Sequence, residues 1–203
     1  MADWEKLADE VRVMRLIETL GKNGITAEFV RTATEAKEKA LSIIPEGSEV
    51  FTYSSLSLER AGIRKEIDES GKYDSIRKRL SSLDRKMQGR EMRKLAAAPD
   101  YSLGSVHAVT ESGELIIASQ SGSQLPGYSF TSGKNIWIVG TQKIVKDLEE
   151  GMLRLREYVL PLESERAKKV YGKGSAINKL LIINAESKPG RLHIIFVDEK
   201  LGF

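Results

Sequence analysis

Apolar positions fall into two periods along the chain. Trp4, Leu7, Val11, Met14, Ile17 and Leu20 recur at helical spacing, and Gly21 and Gly24 end the pattern. Residues 26–30 read as a short strand. Thr32 with Glu35 three residues on resembles a capping box, predicting a helix through Ala36, Ala40 and Ile43 that stops before Pro45. Residues 49–53 form a second strand. The basic segment beyond it carries Ile76, Leu80, Leu83 and Met87 at helical spacing and predicts one helix ending near Pro99. Residues 106–109 and 115–118 look like short buried strands, and 119–127 like a small-residue loop before a helix. Residues 135–139 are a strongly apolar strand of the kind buried in a parallel sheet. Val145, Leu148, Met152, Leu155, Val159 and Leu162 mark a long amphipathic helix that Pro161 breaks or redirects. Residues 180–183 and 192–197 close the chain as strands. The rhythm is that of an α/β fold, a mainly parallel sheet sandwiched by helices, built as one domain over 1–203 with a basic helical excursion at about 63–98.

Composition narrows the chemistry. The 203 residues include no cysteine and two histidines, His107 and His193, which argues against thiolate chemistry, Cys-ligated metal and a multi-His metal site. No apolar run approaches the length of a membrane span, and the start of the chain lacks a signal peptide's basic and apolar regions, so a cytoplasmic protein is expected. The net charge of +3 is uneven. Nine Lys/Arg and three Asp/Glu lie between residues 72 and 94, leaving the rest of the chain net negative. Clustered cations invite nucleic acid, but no interleaved aromatic or reading motif accompanies them, and a solvated helix face is the plainer reading. The apolar stripes at 76–87 and 145–162 suit packing, a homo-oligomer contact or an accessory-subunit contact.

Between Gly104 and Gly133 only Glu111 and Glu114 are charged. A carboxylate among apolar strands and small residues needs a reason. Glu111 is therefore the candidate nucleophile or acid/base in a cleft, with Thr110 beside it and Gly113 allowing close backbone approach. The plain alternative is an exposed turn. Ser121, Gly122 and Ser123 lie in a loop entering a helix and could present amides to a carboxylate or phosphate. Asn178 lies in a third polar loop. Ser54, Ser55 and Ser57 follow a strand and could line the opposite wall.

The order of these segments resembles a known family. Residues 54–63, a strand end in serines followed by Leu58-Glu59-Arg60-Ala61-Gly62-Ile63, and Thr110-Glu111-Ser112-Gly113-Glu114-Leu115 resemble blocks of the lactate-utilisation (LUD) domain family. The likeness runs in order over roughly residues 20–203. It implies a fold similar to the sugar-phosphate isomerase and CoA-transferase superfamily, with ligand loops at strand ends. Class I CoA-transferases carry a catalytic Glu in Ser-Glu-Asn-Gly, and Thr110-Glu111-Ser112-Gly113 is similar. Their glycine-rich CoA segment is absent, and the chain is about half the length of a two-domain transferase. The resemblance implies small organic-acid, lactate-type metabolism, with a carboxylate or phosphorylated metabolite bound around Glu111. The alternative is a non-catalytic sensing or accessory subunit of a multi-protein oxidation complex. It fixes no cofactor, and it leaves open whether the chain is an enzyme.

Overall fold

Two strands apolar on both faces form the centre of the protein. In this computed structural model, which describes residues 3–203, Lys134–Gly140 (β7) pairs in parallel with Leu192–Val197 (β10). Their side chains alternate between two cores. Trp137, Val139, Ile194 and Phe196 point to one face, and Ile136, Ile138, Ile195 and Val197 to the other. Burial on both sides explains the unbroken apolar runs. Thr26–Val30 (β1), Glu49–Thr52 (β2), Asp74–Ser75 (β3) and Tyr101–Gly104 (β4) complete a six-stranded sheet of order β1-β10-β7-β4-β2-β3, every pair parallel.

A second sheet covers one face. Ala108–Thr110 (β5) and Leu115–Ser119 (β6) form an antiparallel hairpin, flanked by Ile144–Val145 (β8) and Lys179–Ile183 (β9) in the order β8-β5-β6-β9. Glu10–Lys22 (α1) shares the core between the sheets through Val13, Leu16 and Leu20. Ala33–Ser42 (α2), Leu56–Arg60 (α3) and Ile63–Glu69 (α4) cover the other face of the main sheet.

The α/β architecture is the expected one, with local differences that have physical causes. The first helix begins at Glu10 rather than near Trp4, because the Asp9 carboxylate accepts the Arg12 amide at 2.9 Å and caps it there. Thr32 caps α2 as its spacing predicts, accepting the Glu35 amide at 3.2 Å. The basic segment is two short helices, Ile76–Ser81 (α5) and Gly89–Ala97 (α6), instead of one. The Asp84 carboxylate accepts the Lys86 amide at 2.7 Å, a local turn that replaces the helical ladder between them and leaves Met87 exposed. Ile63, Ile67 and Ile76 within the 63–98 stretch are buried in the main cores, and β3 joins the main sheet. Pro161 does not end its helix. Leu148–Arg154 (α7) widens into a π turn at Leu155–Val159 and continues as Leu160–Tyr171 (α8). The wide turn accommodates a residue that has no amide to donate.

Candidate functional site

The turn that carries Glu111 closes the β5–β6 hairpin. The Gly113 amide bonds the Thr110 carbonyl at 2.9 Å, and the Thr110 amide bonds the Glu114 carbonyl at 3.0 Å. Gly113 has φ 93°, a left-handed conformation suited to glycine, and a Cβ there would lie 2.7 Å from Asn23 Nδ2. The close approach is thus to α1 and not to a ligand. Asn23 Nδ2 donates to the Ser112 carbonyl at 3.2 Å. The Glu111 side chain is 49% exposed and paired with Arg12 Nε at 2.6 Å. Thr110 and Ser112 hydroxyls both donate to the Glu114 carboxylate. Burial pushes that carboxyl up, but these two hydroxyls outweigh it and hold it below its usual range.

The Ser121–Ser123 loop lies at the other end of β6. Five strand residues, about 3.4 Å each, separate it from the Glu111 turn, so one small ligand does not span both. Its amides are also engaged. Gly122 N donates to Ser119 Oγ at 2.8 Å and Ser123 N to Ser121 Oγ at 3.3 Å. Asn178 is exposed and donates to the Gln120 carbonyl at 3.2 Å, tying two loops together. The cleft between Glu111 and the Ser121–Ser123 loop is therefore replaced by two structural turns.

Convergence occurs instead at the C-terminal ends of the parallel strands, where ligands bind open α/β sheets. Ser57 follows β2, Ser105 follows β4, Lys143 follows β7, and residues 198–202 follow β10. Lys143 is 2% exposed. Its Nζ donates to Ser105 Oγ at 3.1 Å, to the Val106 carbonyl at 3.1 Å and to Ser57 Oγ at 3.3 Å. All three partners are neutral oxygens. Burial holds the Lys143 amine well below the usual lysine range, and Arg154 and Arg60 nearby push it the same way. Ser57 in turn donates to the Leu201 carbonyl at 3.0 Å. Ser55 caps α3 and Ser54 is exposed, so of the three serines only Ser57 joins this buried cluster.

Arg154 lies beneath the same rim. It is fully buried, its Nη1 donating to the His107 carbonyl at 2.6 Å and its guanidinium lying 5.2 Å from the Tyr158 ring centre. Burial lowers it to about 10, still cationic at neutral pH. His107 Nδ1 accepts the Ala118 amide at 3.1 Å. Burial, with the neighbouring Lys143 and Arg154, takes His107 down to about 3. The Glu5 carboxylate takes Lys200 Nζ at 2.5 Å and Tyr158 Oη at 2.8 Å. Arg60 Nη1 donates to the Lys200 carbonyl at 3.3 Å.

Sequence reasoning missed Lys143, Ser105 and Arg154. Thr141-Gln142-Lys143 follows the most apolar strand, which is where the strand-end rule places ligand groups. Arg154 stands three residues after the buried Gly151 and five before the buried Val159, on the inward stripe of its helix. Among the described residues no group of His, Asp and Glu could hold a metal ion. No helix among them is long and apolar enough to cross a membrane.

Comparison with known proteins agrees with the architecture. The family model described as LUD domain matches residues 13–197. The crystal structure of a DUF162 family protein from Deinococcus radiodurans superposes with a TM-score of 0.59 at 14% identity, covering 95% of this chain and 99% of that one. No curated protein matches.

Proposed function

The chain belongs to the LUD domain family, and on that footing we propose that it binds a small organic-acid metabolite, of carboxylate or phosphoryl type, at the C-terminal ends of its parallel strands. The observation that carries this reading is Lys143. A buried amine facing two serine hydroxyls and a carbonyl has donors but no counter-ion. Such a group is costly to a fold unless an anion joins it. The family name associates these domains with lactate utilisation, and the hydroxyls of Ser57 and Ser105 beside Lys143 suit the polar oxygens of a small hydroxy- or oxo-acid. Glu111, exposed and paired with Arg12, has no chemical role in this reading.

The depressed amine gives binding a signature. A bound anion favours the ammonium form and raises the Lys143 amine back toward the usual lysine range, so any proton taken up on binding depends on Lys143. Calorimetric titration of the chain with pyruvate, lactate and phosphate in two buffers of different ionisation enthalpy reads this directly. Proton uptake that disappears in Lys143→Met supports the site. Binding whose affinity is unchanged in Lys143→Met opposes it.

A further inference from the structure

Arg154 carries an unexplained edge. Its side chain is fully buried, yet Nε and Nη2 have no hydrogen-bond partner among the described residues. Only Nη1 is used, on the His107 carbonyl. Leaving two guanidinium donors unpaired in the interior is unfavourable, and no structural role for that edge appears in the fold. Nε and one Nη form the side of the guanidinium that matches a carboxylate with two parallel hydrogen bonds. The neighbouring carbonyl in the chain, that of Val106, accepts from Lys143. The buried Lys143 amine and Arg154 guanidinium thus stand over adjacent peptide units, with neutral groups as their partners. Thr141 Oγ1, two residues before Lys143, is likewise buried and unpaired among the described residues.

We propose that the Nε–Nη2 edge of Arg154 is a carboxylate subsite adjoining Lys143, so that the ligand is a small acid held by its carboxylate on Arg154 with its hydroxyl or oxo oxygen toward Lys143. This rests on the strand-end cluster being the binding site and assigns the ligand's anionic group to Arg154. Two parallel donors match a carboxylate and a phosphoryl group alike, so titration with pyruvate against inorganic phosphate tells the two apart. Lysine at position 154 would keep the charge and lose the fork.

Titration of the full chain with pyruvate and with inorganic phosphate tests this. The expected result is that pyruvate binds the wild-type chain and weakens about tenfold or more in Arg154→Lys, while pyruvamide, which lacks the charge, fails to bind. Equal pyruvate affinity in wild type and Arg154→Lys would overturn the subsite. If phosphate then still binds in a Lys143-dependent way, the crevice stands without the subsite. Absence of binding by either probe removes both. Should Arg154→Lys fail to fold, the wild-type Nε resonance in arginine-labelled protein serves instead. It should move on saturation with pyruvate, and an unmoved resonance contradicts the subsite.

Discussion

Lys143 and Ser57, 86 residues apart in sequence, meet at 3.3 Å where two parallel strands end. Their contact joins the segment after β7 to that after β2. Through the Leu201 carbonyl on Ser57 it also joins the chain that follows β10. A lysine in this position is expensive for the fold and therefore informative about what the fold does.

The Glu111–Arg12 pair is exposed and should contribute about 0–1 kcal/mol. Glu111→Gln is expected to leave the melting temperature and small-acid affinity nearly unchanged. Loss of binding in a folded Glu111→Gln protein would return that carboxylate to the site.

Much of the fold was legible in the sequence because it depends on periodicity. The strands at 26–30, 135–139 and 192–197 and the Thr32 cap have local causes, and the structure places them as read. The site was less legible because its groups come from positions 57, 105, 143 and 154, joined only by the strand order. Glu111 stood out on charge contrast and on a short motif likeness, neither of which distinguishes a cleft from a hairpin turn. The basic stripe was misread as one helix because the turn at Asp84 interrupts it while keeping its spacing.

His107 gives a pH dependence. Its folded value near 3 lies below the unfolded value near 6.5, so the unfolded chain binds more protons between them. The stabilisation is complete above pH 6.5 and is lost as pH falls toward 3. Between pH 7 and 5 the loss from this group is on the order of 2 kcal/mol. His107→Asn, which can still accept the Ala118 amide, should lose less over that interval in urea unfolding. An identical loss in both proteins would contradict the assignment.

Gly104 tests how tightly the strand ends are packed. A Cβ there would fall 1.6 Å from Tyr128 Oη, and Tyr128 is wedged edge-on against Tyr53 and packed on Trp137. Gly104→Ala should cost about 3 kcal/mol in denaturant unfolding, at the upper end of overpacking effects. A change under about 0.5 kcal/mol would show that Tyr128 moves freely.

The most direct test is thermal unfolding of wild type and Lys143→Met, each with and without small acids. Replacing the buried amine by a side chain of similar length should leave the free protein as stable as wild type or slightly more so. Saturating ligand at about a hundred times its dissociation constant should stabilise wild type by about 2.7 kcal/mol. That shift should vanish in the variant. A folded Lys143→Met protein that keeps the full ligand shift would contradict the placement of the site at the strand ends.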